Sequence, residues 1–266
     1  MSTRKVRADE LVVQQGLADS RSKAKALIVA GDVRSGDRLI QKPAEMLDAG
    51  LALELRAKLP FVSRGGFKLD HALTEFGIDV TGVVAADLGA STGGFTDVLL
   101  QRGAARVYAV DVGYGQLDYR LRTDDRVIVM ERVNARYLES LPEPVGFVCV
   151  DVSFISLEHM LPVAKRLLST GGDLVTLIKP QFEAGKELVG RGGVVRDERT
   201  RKTVVKRVIE MAQHHELSIQ GLVRSPITGP AGNVEYLTWF QKDSTGRNSD
   251  ELIEQVFATK GNQQDA

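Results

Sequence analysis

The chain is poor in the residues that staple proteins or hold metals. It has one cysteine among its 266 residues. That excludes a disulfide framework and a cysteine-based zinc site. Cys149 falls within an apolar run and reads as a small core residue. A lone thiol fits a reducing compartment. The four histidines are scattered, and no metal site is expected. Charge of either sign is not in excess, with 35 basic and 35 acidic residues. Any nucleic-acid-binding surface must therefore be local. No apolar run approaches the ~18 residues of a membrane span. The basic start, Met1 to Arg7, lacks the apolar region of a secretory signal. A cytoplasmic protein with no membrane partner is the default expectation. A 43% hydrophobic content supports one good core and a small satellite domain.

In the first sixty residues, Val6, Leu11, Val12 and Val13 suggest a short helix over 6–15, stopped by Gly16. Ser20 can cap a second helix that runs to about Ala30, with Ala24, Leu27 and Ile28 inward. Arg21 and Lys25 share a face of that helix, with Lys23 beside them. Candidate strands follow at Leu39-Ile40 and Leu51 to Leu55. Residues 16–31, Gly-Leu-Ala-Asp-Ser-Arg-Ser-Lys-Ala-Lys-Ala-Leu-Ile-Val-Ala-Gly, closely resemble the S4-type RNA-binding domain, and Lys42-Pro43 falls where that family has it. The resemblance implies that Arg21, Lys23, Lys25 and Lys42 meet RNA. Such phosphate contacts position an RNA without reading its sequence. One departure is Arg34-Ser35-Gly36-Asp37, where the family has a Val-Asn-Gly turn. The S4-type domain is placed at 1–57, with a linker at 58–62 around Pro60.

Ser63 can cap a helix running to Phe76, which buries Leu69, Leu73 and Phe76. Lys68 sits in its first turn, where a cation is unfavourable, a hint of another task. From residue 83, apolar strands alternate with helices: strands at 83–88, 106–112, 127–130, 147–152 and 173–178, helices at 95–101, 117–122 and 157–168. That pattern indicates a parallel sheet covered on both faces. A long helix at 197–215 precedes two strands, 218–224 and 234–241, joined by a turn-rich loop. They read as an antiparallel hairpin. A parallel sheet closed by such a pair is the arrangement of class I S-adenosylmethionine (SAM) methyltransferases.

The turn Asp87-Leu-Gly-Ala-Ser-Thr-Gly-Gly-Phe-Thr96 joins the first of these strands to a helix. Its glycines let a ligand approach the main chain. It departs from the Gly-x-Gly-x-x-Gly spacing that suits a pyrophosphate. SAM has no phosphate and tolerates a looser turn. Asp87, Gly89, Ser91, Gly93, Gly94 and Phe95 are the expected donor-binding residues of this turn. Asp111 ends the second strand, where a carboxylate can accept both ribose hydroxyls of a nucleoside. Asn134, past the third strand, is where an adenine contact would lie. Four further polar residues fall at element ends on one side of the sheet: Lys68, Asp151, Lys179 and Glu235. Ligands of open α/β sheets bind outside the carboxyl ends of strands.

Residues 63–68 (Ser-Arg-Gly-Gly-Phe-Lys), 87–97, 149–156, 178–185 and 225–235, in this order, resemble the TlyA (haemolysin A) family. Members join an S4-type domain to an FtsJ-like ribose methyltransferase domain, here 63–241. The resemblance implies SAM-dependent 2′-O-methylation of ribosomal RNA within ribosomal subunits. It carries over the catalytic set Lys68, Asp151, Lys179 and Glu235, places Asp151 near the methyl donor, and adds Arg64 to the RNA contacts. The fold expected is a class I SAM-methyltransferase, Rossmann-like α/β fold, with a small N-terminal S4-type α+β domain.

A ribose 2′-OH is a poor nucleophile until its proton is removed. A lysine can remove it only if its pKa falls well below ~10.4. Burial and a neighbouring cation both lower it. Lys179 is expected to be the base, positioned by Asp151. Lys68 lies near it, and Lys68 and Glu235 orient the ribose. Two other readings are a membrane-active haemolysin and an RNA-binding protein without activity. The first needs an amphipathic element. The candidate is Asp250 to Ala258, whose Leu252, Ile253, Val256 and Phe257 form a stripe of the kind that usually packs on its own protein. Residues 242–266 are expected to comprise a flexible segment, that short helix and a disordered tail after Lys260. The glycine-rich stretch Gly185 to Arg196 is expected to be a mobile loop.

Overall fold

A computed structural model describes residues 4–55 and 59–258. The chain divides into two compact units, Met1–Pro60 and Phe61–Ala266.

The first unit opens on strand β1 (Lys5–Arg7) and helix α1 (Ala8–Gln14). Helix α2 (Arg21–Val29) follows, then β2 (Val33–Ser35), β3 (Arg38–Leu39), β4 (Met46–Asp48) and β5 (Glu54–Leu55). Val6 therefore belongs to a strand, not to the first helix; its pairing with Leu47 on β4 supplies the backbone partners that a helix end would lack. β3, β2 and β5 form a second small sheet. Leu11, Val12, Ala24, Ile28, Val33 and Ile40 make the core. Ser20 caps α2 as expected, its hydroxyl accepting from the Lys23 amide. Asp9 is fully buried beneath this helix pair. It takes two bonds of 3.0 Å from Arg7, and Arg21 reaches both of its oxygens at 3.3 and 3.4 Å. The Arg7 bond is the main reason its carboxyl is lowered to about 2.

The second unit begins with α3 (Gly66–Phe76), β6 (Val84–Leu88), α4 (Gly94–Gln101), β7 (Arg106–Asp111) and α5 (Tyr119–Arg122). Next come β8 (Val127–Glu131), β9 (Val145–Val150), α6 (Leu161–Leu167), β10 (Leu168–Ile178) and α7 (Pro180–Glu183). α8 (Glu198–His214), β11 (Leu217–Arg224), β12 (Tyr236–Lys242) and α9 (Ser249–Ala258) complete it. The strands form one seven-stranded sheet in the order β11-β12-β10-β9-β6-β7-β8. β12 runs antiparallel to both neighbours, and the strands from β10 through β8 run parallel. The hairpin is as expected, but its second strand is inserted between β10 and β11. Both sheet faces are covered. α3 and α4 pack on one with Leu69, Leu73, Val98 and Leu99, and α6, α8 and α9 on the other. This explains why the strands read as continuous apolar runs rather than alternating ones.

Local departures have simple causes. The expected helix at 157–168 is broken into a 3-10 turn, Leu157–His159, and α6. Pro162 sits in the first turn of α6, where its missing N–H costs nothing. Ser63 does not cap α3 with its side chain: Gly65 holds that position, and the Ser63 carbonyl accepts from the Gly66 amide. Of the expected linker, Lys58 lies outside the described residues, and Phe61 and Val62 pack against the α3–α4 layer. In the Gly185–Arg196 stretch, Val195 is buried. Asn233 accepts from the Val195 amide and donates to the Gly193 carbonyl. In α9, Leu252 and Ile253 are buried and Phe257 stacks on Tyr236 at 5.1 Å, so the apolar stripe packs on the chain's own core. Between β12 and α9, Ser244 and Arg247 hydrogen-bond to Ser218 and Ile219 of β11. The expected tail after Lys260 lies outside the described residues. Among them, no helix is long and apolar enough to cross a membrane.

Candidate active site

The turn after β6 is built from behind by Asp87. Its Oδ2 accepts from the Thr96 amide at 3.0 Å and the Thr96 hydroxyl at 2.7 Å. Those bonds tie the end of β6 to the first turn of α4. Burial pushes the Asp87 carboxyl up to about 7, against the Thr96 bonds. Gly93 takes a left-handed φ of 93° at the cap of α4. A Cβ there would come within 2.2 Å of Leu121. Asp87 and Gly93 thus shape the turn through the core rather than line a cavity. Gly89 plays the other part. Its φ is 94°, and a Cβ would stand 2.6 Å from the Asp151 carbonyl. Only glycine lets the turn and the end of β9 close to this distance.

Along the carboxyl ends of β6, β7 and β9 lies a cavity of about 640 Å³, lined by Gly89, Ser91, Asp111, Asn134 and Asp151 among others. A volume of this order suits a nucleoside-sized ligand. A smaller cavity of about 180 Å³ adjoins it, lined by Ser63, Gly94, Phe95 and Lys179. The two share Gly89, Ser91, Asp151 and Ser153. Asp111 accepts from the Ser91 amide at 2.8 Å and from the Gly113 amide at 2.6 Å. Those bonds aim its carboxylate and leave further lone pairs for a ligand. Asn134 accepts from the Arg136 amide, which caps a 3-10 turn.

The four polar residues of the expected catalytic set resolve into two ion pairs. Lys68 Nζ lies 2.6 Å from Glu235 Oε2. Lys179 Nζ lies 2.5 Å from Asp151 Oδ1 and donates to Ser153 Oγ at 2.9 Å. Each lysine thus has its own carboxylate partner. Gln181 reaches toward the other Glu235 oxygen at 3.5 Å. Ser153, Phe154 and Ser156 line the cavities and lie inside the motif at 149–156, where no role was expected of them; Ser63, expected only as a helix cap, lines the smaller cavity.

The basic residues are more committed than their spacing suggests. Arg21 pairs with Asp9 and Glu10, and Lys23 with Asp19. Lys25, Lys42 and Arg64 are exposed.

Residues 61–242 match the FtsJ-like methyltransferase family, and residues 6–53 the S4 domain. The chain belongs to the TlyA group of FtsJ-like methyltransferases. It is 48% identical over 242 residues to the 16S/23S rRNA (cytidine-2′-O)-methyltransferase TlyA of Mycobacterium tuberculosis, covering 90% of each chain. It is 41% identical to Hemolysin A of Brachyspira hyodysenteriae, covering 88% of this chain and 99% of that one. A solved structure from Streptococcus thermophilus, named as a hemolysin candidate, superposes with a TM-score of 0.75 at 44% identity. That match covers 97% of this chain and 96% of the other. A solved structure from Listeria monocytogenes, named as a SAM-dependent methyltransferase candidate, shares the fold over 68% of this chain at 15% identity and a TM-score of 0.53.

Proposed function

We propose that this chain methylates the 2′-hydroxyl of a ribose in ribosomal RNA, using SAM as donor. The observation that carries the reading is the adjacency of a nucleoside-sized cavity and the Lys179–Asp151 pair, which share Asp151 and Ser153. The donor fits on this chain's own features: Gly89 gives a close main-chain approach, and the aimed Asp111 carboxylate suits the two ribose hydroxyls. Asn134 stands at the adenine end. Bound there, SAM supplies an electrophilic methyl on a sulfonium, which the 2′-oxygen takes while the C–S electron pair stays on sulfur.

The protein's share is to remove a proton and align the acceptor. Asp151 and Ser153 hold Lys179 Nζ at the shared wall, and Lys179 takes the 2′-OH proton. A lysine does so only as the free amine. Lys68 and Glu235 orient the ribose. In the S4 domain, Lys23, Lys25, Lys42 and Arg21, with Arg64 in the second unit, contact RNA phosphates.

The test is Lys179→Ala. It abolishes methyl transfer to ribosomal subunits while leaving SAM affinity nearly intact. Wild-type turnover by that variant would remove Lys179 as the base. Failure of the wild-type chain to bind SAM would remove the reading altogether.

A further inference from the structure

The segment 151–157 and the segment 179–183 are tied together rung by rung. The innermost rung joins Lys179 to Asp151 and Ser153. The next sets the Phe182 ring against Phe154, tilted at 49° with ring centres 4.9 Å apart. The outermost joins Glu183 to Ser156 and Leu157: the Ser156 hydroxyl donates to Oε2 and the Leu157 amide to Oε1, each at 2.8 Å. Ser156 Oγ also accepts from the Glu158 amide, closing the 3-10 turn that follows.

This ladder matters because its two rails do different work. The rail 151–156 is a wall of the 640 Å³ cavity. The other carries Lys179 and the short helix α7. Phe154 is 90% exposed and sits at a left-handed φ of 64°. A bulky residue in that region is strained, and such strain persists only where the surroundings over-determine it. A tilted contact at an exposed ring is a weak restraint. The outer rung is the stronger one, because both Glu183 oxygens are used in a mostly buried setting. Burial raises the Glu183 carboxyl despite these two bonds, with Arg207 as a nearby cation and Glu158 as a nearby anion.

We propose that Glu183 is a positioning residue of the methyl transfer: it locks 151–157 against α7, setting the donor-cavity wall and the seat of Lys179 together. The inference rests on the proposed function. It assigns a role to a residue of the 178–185 motif that touches neither donor nor ribose.

The test uses the full chain with Glu183→Ala, Glu183→Gln, Ser156→Ala and the Ser156→Ala/Glu183→Ala double variant. S-adenosylhomocysteine binding is measured by calorimetry, and kcat on ribosomal subunits across pH. Thermal unfolding is recorded beside them. Glu183→Ala weakens binding by about tenfold or more and moves the acid limb of the kcat–pH profile. Glu183→Gln recovers most of both, because its amide can still accept from Leu157 and bond Ser156. The two alanine effects are non-additive, as expected for one network. Wild-type affinity and an unmoved pH profile in Glu183→Ala, whatever its melting temperature, would overturn the proposal. So would additive effects, and so would wild-type behaviour of Ser156→Ala should Glu183→Ala fail to fold. If the unaltered chain itself binds no S-adenosylhomocysteine, the proposed function falls first and this role with it.

Discussion

Lys68 and Glu235 meet at 2.6 Å although 167 positions separate them in sequence. One stands in the first turn of α3 and the other at the entry to β12, and both side chains are buried. This pair ties the start of the second unit to its last strand. Removing one member of such a pair leaves a buried charge alone, which costs about 3–5 kcal/mol. Lys68→Met or Glu235→Leu should therefore each lower the melting temperature sharply. The double variant Lys68→Met/Glu235→Leu should recover most of the stability, yet remain inactive. Thermal unfolding and methyl transfer, measured side by side, check this. A double variant as unstable as the singles would show that packing rather than charge is at stake.

Gly89 and Gly93 make a matched comparison. Alanine at Gly89 meets the Asp151 carbonyl and adds about 1–3 kcal/mol of backbone strain. It should disturb the cavity wall and weaken S-adenosylhomocysteine binding by more than tenfold (about 1.4 kcal/mol). Alanine at Gly93 meets Leu121 and Leu117 and should mainly lower the melting temperature. Calorimetry on both variants separates the effects. Equal losses of affinity would contradict the assignment.

Asp87 makes stability depend on pH. Its folded-state carboxyl lies near 7, above the ordinary aspartate value of 3.8. The folded protein then holds a proton that the unfolded chain has lost. This contribution is fully present below about 3.8 and is lost as pH rises through about 7, at no more than about 1.4 kcal/mol per pH unit. Asp87→Asn carries no such charge, so its melting temperature should fall less than the wild type's between pH 5 and 8. Parallel curves for the two proteins would refute the buried-acid account.

In the first unit, Lys23→Gln/Lys25→Gln should weaken binding to ribosomal RNA and reduce its salt dependence. The expected change in the log–log slope is roughly 0.7–0.9 for each phosphate that a lysine no longer neutralises. An unchanged slope would place the RNA elsewhere. Arg21→Gln should act differently, because Arg21 also pairs with buried Asp9. The Arg7 bond, with a smaller share from Arg21, lowers Asp9 to about 2, so these pairings together stabilise the unit above the ordinary carboxylate range and are lost as pH falls toward 2. Arg21→Gln should therefore lower the melting temperature at neutral pH as well as RNA affinity.

Where a feature depends on near neighbours in the chain, it could be read directly. Ser20 capping α2 needs only a hydroxyl three residues before an amide. The strands β6, β7 and β9 announce themselves as apolar runs, and the glycine turn between β6 and α4 as a break in them. The four polar residues Lys68, Asp151, Lys179 and Glu235 were legible as residues at or beside element ends, and the structure joins them as two ion pairs. Ser63 shows the limit: an eligible cap residue was displaced by Gly65 two positions on. Val6 shows another, since only its long-range pairing with Leu47 decides that it is a strand residue.

Local sequence thus determined the two units, most of their element types, the glycine turn after β6 and the ionisable residues at the strand ends. Tertiary structure decided the ion pairs themselves: the resemblance implies that Asp151 positions Lys179, and the fold adds that Lys68 is held by Glu235 rather than left beside Lys179. Nothing in the order Lys68, Asp151, Lys179, Glu235 says that the outer two form an ion pair. That choice follows from β12 inserting between β10 and β11, which carries Glu235 across to α3. It leaves Lys179 with Asp151 because β9 and β10 are neighbours. Pairings between distant segments are set by sheet order, and sheet order is set by which apolar faces bury best together, a property of the whole core rather than of any stretch within it.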